Sequence, residues 1–422
     1  MSRLADEVRK TFASMHISRN FRLFFAGQLI SVTGTWINWT AGAVLVLQLT
    51  NSGVALGIET ALLFLPVLLF GVWAGSLADR FDKRRILVWA NAGYGFLAAV
   101  QFALVATGVV RIWMVFVIAF LYGLILAIEP PTRQSFYVEL VGEEHITNAV
   151  SLNSAVFTGT RILGGAAAGL MIEAFGLWSP YLLDTVSYVA VILALVAMRP
   201  HELRPQRKAA SEPGMVRAGL RYVWRSEELR IPLLVMCAVY LFAFNFSVVV
   251  PLHAARRFDG SAQEIGWMYA ALGLGAFLGA IAMANRQPMP SLRRLAVAGV
   301  AFGVFLAVVG VMPTFVLALG AMVPMGYASM LFAITANSTL QRFTRADMRG
   351  RVMSLYTTIF LGSSAIGGPI VGWVAERWGT ATTFVATGLV AVLASGLAAL
   401  VHVQARAPEG EAITAGSTIR SA

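Results

Sequence analysis

Long apolar stretches, separated by short polar segments, run along the whole chain. We count twelve, each close to the roughly 20 residues that a helix needs to cross the hydrocarbon core of a bilayer. Lipid offers no hydrogen-bond partner, so a spanning segment must satisfy its own backbone groups, which favours helices. The pattern predicts an all-α polytopic membrane protein with spans centred near residues 35, 66, 96, 122, 161, 188, 243, 275, 302, 326, 363 and 391.

Composition and charge support this prediction. Apolar residues make up 58% of the 422 residues and charged residues only 13%, whereas soluble domains contain roughly 25% charged residues. The net charge of +11 could indicate a nucleic-acid partner. However, most Lys and Arg residues lie in alternate polar segments, starting with the N-terminal one; the other segments hold only Arg111, Arg256, Arg257 and Arg377. This distribution predicts a cell (inner) membrane protein with cytoplasmic termini, whose basic residues contact anionic lipid heads and not nucleic acid.

The most polar internal segment divides the spans into two groups of six. We expect a six-helix bundle, a cytoplasmic central loop, a second six-helix bundle and a disordered polar tail, at 1–198, 199–230, 231–403 and 404–422. In the loop, Val216, Leu220, Val223 and Trp224 are spaced as on one helix face. The loop is therefore either partly an amphipathic helix on the membrane or a disordered linker, and the sequence leaves both open.

The two groups of six are related in sequence. A shift of 203 residues places small residues of the fifth span on those of the eleventh, and the match continues past the ends of both spans. The matched pairs are Gly164 with Gly367, Gly165 with Gly368, Gly169 with Gly372, Glu173 with Glu376, and Gly176 with Gly379. Both copies have the same orientation, so the repeat is parallel, and a binding site is expected between the halves near mid-membrane.

The polar segment after the second span carries a motif. Residues 75–85 read Gly-Ser-Leu-Ala-Asp-Arg-Phe-Asp-Lys-Arg-Arg, which resembles the signature loop of the major facilitator superfamily, G-x-L-a-D-r-x-G-r-r. Asp82 stands where that motif usually has Gly. The resemblance implies the major facilitator fold, with 12 transmembrane helices in two six-helix parallel repeats, and therefore a secondary transporter.

The same resemblance implies a cytoplasmic gate built from Gly75, Asp79, Arg80 and Arg84. Asp79 would meet the start of the eleventh span near residues 350–354. Arg80 and Arg84 would pair with neighbouring acids or carbonyls, although simple membrane anchoring is the alternative interpretation of Arg84.

A narrower resemblance lies further along the chain. Residues 129–134 read Glu-Pro-Pro-Thr-Arg-Gln and residues 161–164 read Arg-Ile-Leu-Gly. They are similar to the Asp-x-Pro-x-Arg-Gln and Ala-Arg-Ile-x-Gly-Pro motifs of the branch that contains enterobactin exporters and macrolide efflux proteins, with Glu129 for the Asp and Gly165 for the Pro. The resemblance implies proton-coupled export (antiport) of amphipathic small molecules such as drugs or siderophores.

Few ionisable side chains lie within the apolar stretches, where each costs a few kcal/mol unless it is paired or hydrated. Away from the span ends they are Glu59, Glu129, Arg133, Arg161 and Asp184, all in the first half. We expect Glu59 to be solvated near the outer rim and the other four to take part in proton coupling. The second half would then supply a mostly apolar cavity wall.

Glu129 and Arg133 are four residues apart and so share one helix face. Pro130 and Pro131 between them remove two backbone donors. The pair is either a proton-titrating site at a bendable helix end or a structural ion pair at the cytoplasmic rim.

Arg161 lies deep in the fifth span and needs a partner. Glu129 and Asp184 are both candidates, and the sequence does not choose between them. Asp184 shares a helix face with Tyr181 and Tyr188, whose hydroxyls could bond its neutral form.

Polar and aromatic residues elsewhere in the spans are candidates for lining the substrate cavity, with ordinary packing as the alternative. They are Asn38, Trp39, Tyr188, Asn245, Tyr327 and Asn337.

Other function classes find little support. The five His residues lack metal-ligand spacing, the single Cys237 has no evident His partner, and no phosphate-binding loop is present. We expect no enzyme, no metal and no cofactor, with the proton gradient as energy source, and a monomer whose partners are a small-molecule substrate and membrane lipids. An importer or lipid transporter of the same fold, or a transport-inactive membrane receptor, remains an alternative.

Overall fold

The computed structural model describes residues 18–78, 81–204, 215–286, 289–345 and 347–417. Within these ranges, twelve helical segments are long and apolar enough to cross a membrane, and each contains one of the predicted span centres. The helices are α1 Arg19–Thr50, α2 Gly53–Ala78, α3 Lys83–Ala106, α4 Ile112–Val141, α5 Ile146–Phe175, α6 Trp178–Val196, α7 Met215–Trp224, α8 Glu227–Phe242, α9 Phe246–Phe258, α10 Ala262–Arg286, α11 Leu292–Val311, α12 Phe315–Phe343, α13 Arg349–Trp378 and α14 Thr380–Ser417. Two short 3₁₀ turns lie at Glu143–His145 and Pro200–Glu202.

Local sequence explains where several helices begin and end. Side chains of Ser18, Asp82, Ser291 and Thr314 each accept a hydrogen bond from the backbone N–H three residues further on, which satisfies a free donor of the first turn. Asp82, which departs from the superfamily motif, therefore acts as the N-cap of α3.

The seventh span is a broken helix. It consists of α8 and α9, and the apolar segment Glu227–Phe258 runs through both. At the break, Asn245 Nδ2 donates to the carbonyl oxygen of Leu241 at 2.7 Å, so a side chain replaces a missing backbone donor.

Helix packing shows the repeat in three dimensions. The contacts of α3 with α6, of α2 with α4 and of α1 with α5 recur in the second half as those of α11 with α14, of α10 with α12 and of α8 with α13. Between the halves, α2 packs along α13 and α5 packs along α10. The repeat exchanges these two pairs, as expected for a parallel duplication with a two-fold axis along the membrane normal.

The matched glycines occupy matching positions in this packing. A Cβ on Gly164 would lie 2.5 Å from Trp36 Cβ of the first span, and one on Gly367 would lie 1.9 Å from the Leu241 carbonyl oxygen of the seventh. Their neighbours Gly165 and Gly368 instead face the other half, against α10 and α2 respectively. The small residues are therefore close-packing positions, as small-residue motifs in membrane helices usually are. Gly176 and Gly379 end α5 and α13 with positive φ angles of 92° and 84°.

The two faces of the molecule differ in charge. We call the face where α1, α3, α11 and α13 begin the basic face, because Arg19, Arg84, Arg293 and Arg349 lie at those helix starts. The other face we call the opposite face.

The halves are closed together at the opposite face. Gly53 and Gly57 of α2 lie against Gly372 and Gly368 of α13 so closely that a Cβ on Gly57 would lie 2.5 Å from the Gly368 carbonyl oxygen. We call these four residues the glycine seam. Beside it, Glu376 Oε2 accepts hydrogen bonds from Ser52 Oγ at 2.8 Å and from Val54 N at 3.0 Å. Arg256 of α9 also donates to the carbonyl oxygen of Asn51.

Toward the basic face the halves separate. The close contacts that glycines make between α5 and α10 lie between Ile162 and Gly169, in the part of α5 that leads to the opposite face. Among the described residues, α4 and α12 make no extended contact with each other. The gap between the halves therefore opens toward the basic face.

Three segments refine the sequence-based expectations. Helix α4 continues through Pro130 and Pro131 to Val141, so the prolines do not form a helix end. Part of the central loop is helical, as one of the two interpretations held, and α7 packs on α13 with Gly219 against Arg351. Helix α14 continues to Ser417 although its apolar segment ends at Leu400. The tail that was expected to be disordered from residue 404 is therefore helical as far as Ser417.

Candidate functional site

Asp184 lies in a polar pocket inside the first half. Its side chain is fully buried. Asn38 of α1 donates to Asp184 Oδ2 at 2.6 Å, and the Ser187 hydroxyl lies 3.4 Å from Oδ1. Neither partner is charged. Gly34 makes this approach possible, since a Cβ there would lie 2.8 Å from Asp184 Oδ1.

Three tyrosines stack beside this pocket. Tyr94 of α3 stacks on Tyr122 of α4 and on Tyr188 of α6, with ring centroids 5.4 and 5.5 Å apart. The Tyr188 hydroxyl lies 3.3 Å from Thr35 Oγ1, and the Tyr122 hydroxyl lies 3.4 Å from Asn38 Nδ2. The expected hydrogen bonds from Tyr181 and Tyr188 to Asp184 are not formed between the described atoms.

Glu129 and Arg133 form an ion pair well below the basic face. Arg133 Nε lies 3.3 Å from Glu129 Oε1, and both side chains are largely buried. Arg133 also donates to Gln28 Oε1 of α1 at 2.9 Å. Glu129 is twelve residues from the end of α4 at Val141, which is roughly 18 Å at 1.5 Å per residue. The pair is therefore an interior feature and not a rim contact.

Arg161 packs on an aromatic ring. Its guanidinium carbon lies 5.4 Å from the centre of the Trp36 ring. Among the described residues no carboxylate pairs with it, so the expected pairing with Glu129 or Asp184 is not formed. A cation–π contact contributes about 0.5–2 kcal/mol, whereas an arginine at mid-membrane costs about 2.5–3.5 kcal/mol on insertion scales. The Arg161 charge is therefore incompletely compensated.

Glu59 lies further inside than the expected outer rim. It is half-buried, and its Oε1 atom is 3.7 Å from where a Cβ on Gly42 of α1 would be. In the part of the chain that the structure describes, it makes no ion pair.

The expected gate residues are only partly described. Gly75 lies in α2, whereas Asp79 and Arg80 fall outside the described residues. Arg84 donates to the carbonyl oxygens of Leu195 and Val196 at 2.7 and 2.9 Å. These bonds tie the start of α3 to the end of α6, within the first half.

The expected cavity residues separate into two sets. Asn38 and Tyr188 belong to the buried Asp184 pocket, and Asn245 is buried at the break between α8 and α9. The remaining three, Trp39, Tyr327 and Asn337, keep partial exposure, with Trp39 at 37%. The backbone of Tyr327 packs against Gly275 of α10.

The second half, which was expected to supply a mostly apolar cavity wall, contains a cluster of aromatic rings. Tyr240 contacts Phe244, Phe332 and Phe360 with centroid distances of 4.7, 5.7 and 5.0 Å. Tyr356 stacks on Phe360 at 6.0 Å, and both of these rings are half-buried.

Several residues in these contacts were not identified from the sequence. Gln28, Tyr122 and Trp36 each meet a charged or polar side chain of another helix. For Gln28, a buried amide within an apolar stretch was the available signal. Tyr122 and Trp36 resemble ordinary packing residues, because their roles depend on partners far away in the chain.

Secondary transporters work by exposing one site alternately to two faces, which requires two rigid halves around a central gap. The repeat, the seam at one face and the opening at the other satisfy that requirement, so the structure is that of a secondary transporter of the major facilitator fold. A solved structure supports the fold: a bacterial homolog of the human lysosomal transporter Spinster, in an inward-facing and unoccupied conformation. The match covers 90% of this chain and 97% of that chain, with a TM-score of 0.70 and 14% sequence identity.

The chain belongs to the transmembrane secretion effector family of the major facilitator superfamily, whose family model matches residues 10–420. Curated relatives lie in the branch that the sequence motifs resemble. The staphyloferrin A transporter of Staphylococcus aureus is 26% identical, over 67% of this chain and 73% of its own. The enterobactin exporter EntS of Shigella flexneri is 24% identical, over 92% of both chains. Macrolide efflux protein A of Streptococcus pyogenes is 23% identical, over 87% of this chain and 92% of its own.

Proposed function

We propose that this transporter exports amphipathic small molecules from the cytoplasm, in exchange for protons, by alternating access. The observation that carries the proposal is the gap between the halves, which is closed by the glycine seam and open toward the basic face. The positive-inside distribution supports a cytoplasmic basic face. The described conformation would then be the one that accepts substrate from the cell.

The chemistry of the gap suits amphipathic compounds. The second half offers rings such as Tyr356 and Phe360, and the first half offers Trp39 with a partly exposed indole. Aromatic surfaces bind varied apolar groups, and a few polar groups then fix orientation. The names of the three relatives, which transport or export siderophores and macrolides, point to the same class of cargo.

Proton coupling is assigned to Asp184. It is buried and has no cationic partner in the part of the chain that the structure describes, so binding a proton there removes an uncompensated charge from the membrane interior. Its bond to Asn38 joins α6 to α1, and α1 also packs on α5. Protonation at this point would alter how the helices of the first half fit together. Glu129 already has Arg133 as its partner, so we assign that pair a structural role in this conformation.

The test is accumulation in inverted membrane vesicles with an acidic lumen. Protons leaving the lumen should drive siderophores, macrolides or cationic dyes inward, because the cytoplasmic face now lies outside. Asp184→Asn preserves the shape and a hydrogen bond to Asn38 but cannot titrate. We expect accumulation driven by the proton gradient to fall at least tenfold in this variant. Substrate should still move down its own concentration gradient.

Glu173→Gln is the matched control, because Glu173 is exposed at the opposite face and is distant from the pocket. It should transport like the unaltered protein. Equal pH-driven accumulation by Asp184→Asn and Glu173→Gln would disprove the assignment of coupling to Asp184. Accumulation only with the gradient reversed would indicate an importer.

A further inference from the structure

We infer that Arg161 and Trp36 form an anion-binding subsite, and that the exported substrates carry a carboxylate or similar acidic group next to an aromatic or apolar body. The inference rests on the proposed function, since it names the substrate class of the same central gap.

The first argument is the position of Arg161. It lies fifteen residues into the thirty-residue helix α5, and Trp36 is similarly central in α1. Both therefore lie near mid-membrane, at the depth where transporters of this fold bind substrate. Arg161 is half-buried, as expected for a side chain that borders the gap.

The second argument is the unfilled bonding capacity. The described contact of the Arg161 guanidinium is with the face of the Trp36 ring, which supplies no hydrogen-bond acceptor. Trp36 itself has a buried indole N–H without a hydrogen-bond partner. Among the described residues, neither the Arg161 guanidinium nor the Trp36 indole N–H has a hydrogen-bond acceptor. An arginine fork pairs best with a planar bidentate acceptor such as a carboxylate.

The third argument is that the packing holds this arrangement in place. Gly164 has no side chain, so Trp36 can lie directly on α5, one turn from Arg161. On the other side of α5, Tyr269 of α10 packs on Gly165. A Cβ added to Gly165 would lie 2.9 Å from Tyr269 Cβ. The subsite therefore lies where the two halves meet, so an occupant can affect their relative position.

The surroundings of the subsite are aromatic. Trp36 makes edge contacts with Trp39 at 5.1 Å and with Phe157 at 5.2 Å between ring centroids. Trp39 and Phe157 are 37% and 44% exposed. An acid attached to a flat apolar body can place its charge on Arg161 and its body on these rings.

Binding to the purified full chain in lipid nanodiscs tests the inference without requiring transport. The probes are radiolabelled 1-naphthaleneacetate and its neutral amide, which share size and shape and differ in charge. We expect the unaltered protein to bind the acid at least tenfold more tightly than the amide. Arg161→Met should reduce that preference to about twofold or less, and Arg161→Lys should retain part of it.

Two further variants separate a binding role from a folding role. Trp36→Phe keeps the ring but removes the N–H donor, and should weaken acid binding while leaving amide binding nearly unchanged. Arg257→Met removes an exposed arginine at the opposite face and should leave the preference intact. Equal affinity for acid and amide in the unaltered protein would overturn the subsite, whatever the vesicle assay shows. Charge-selective binding without gradient-driven accumulation would instead overturn the proposed export function.

Discussion

At the residue scale, the Asp184 pocket depends on the absence of a single carbon atom. Gly34 lies where α1 crosses α6, and a Cβ there would come within 2.5 Å of Ser187 Oγ and 2.8 Å of Asp184 Oδ1. These atoms are held in place by the bonds within the pocket. The glycine is thus required for the approach of α1 to α6, not for backbone flexibility.

Gly34→Ala should therefore destabilise the protein. Overpacking a tight helix contact costs about 1–3 kcal/mol, which outweighs the gain of up to about 1 kcal/mol from replacing a helical glycine by alanine. The thermal unfolding midpoint in nanodiscs should fall. Gly159→Ala in α5 is the control, because a Cβ there meets nothing within 4 Å, and its midpoint should stay constant or rise. Equal midpoints for the two variants would contradict the tight approach.

Single residues also show the limit of reasoning from sequence. Asp184 and Arg161 could be selected because ionisable groups are costly in lipid. Their partners could not be selected, because Asn38 and Asp184 are 146 positions apart and no local pattern connects them. The free-energy cost of placing Arg161 in lipid suggests an acidic partner. An aromatic partner has no comparable signal in the sequence, because tryptophan is common in membrane helices for other reasons.

At the element scale, the equivalent helices α2 and α10 of the two repeats are capped differently at their first turns. The start of α2 is capped from the other half, by Glu376 at the end of α13. The start of α10 is capped locally, where Glu264 accepts bonds from the backbone N and the hydroxyl of Ser261 at 2.7 and 2.6 Å. Glu173, the repeat equivalent of Glu376, is exposed. Of these two caps, only that of α2 links the halves, so it must break when the opposite face opens.

Glu376→Gln should shift the protein toward the conformation that is open at the opposite face. Charge-assisted hydrogen bonds contribute about 1.5–3 kcal/mol, and screening at this exposed site reduces the effect to about 1 kcal/mol, or roughly fivefold in the ratio of the two conformations. Spin labels on Val109→Cys and Val316→Cys, in a Cys237→Ser background, report the distance across that face.

Glu173→Gln is the matched control for this experiment, because it makes the same change at the repeat-equivalent position. Its distance distribution should match that of the unaltered protein. If Glu376→Gln gave that same distribution, the cap would have no part in holding the face closed.

Helix positions were the most predictable feature at this scale. All twelve predicted centres lie within helical segments that are long and apolar enough to cross a membrane, because the requirement for internal backbone hydrogen bonds leaves few alternatives in lipid. The break in the seventh span was not predicted. It depends on Asn245 replacing a backbone donor beside Gly367, and a tertiary contact of this kind has no local signature.

At the scale of the whole molecule, the sequence predicted the architecture but not the conformation. Matched glycines revealed the duplication because close helix contacts tolerate few residue types. Which face is closed could not be predicted, since one sequence must stabilise both conformations of an alternating-access cycle within a few kcal/mol.

Gly57→Leu should hold the opposite face open. The added side chain would collide with the Gly368 backbone, which lies 2.5 Å from a Cβ at position 57, and backbone cannot move aside as a flexible side chain can. The distance between labels at Val109→Cys and Val316→Cys should lengthen in most molecules. Gly320→Leu, at a position with open space, should leave that distance unchanged; lengthening in both variants would point to a general disturbance.

The glycine seam has a consequence for the surroundings that the protein can tolerate. Its contacts are between uncharged backbone atoms, such as those of Gly57 and Gly368, so dissolved ions have little to screen there. Of the contacts described between the halves at that face, only those of Glu376 and Arg256 involve charge. If the basic face is cytoplasmic, the closed side meets the external medium. Brine or fresh water outside the cell would then alter the strength of this closure only through these few bonds.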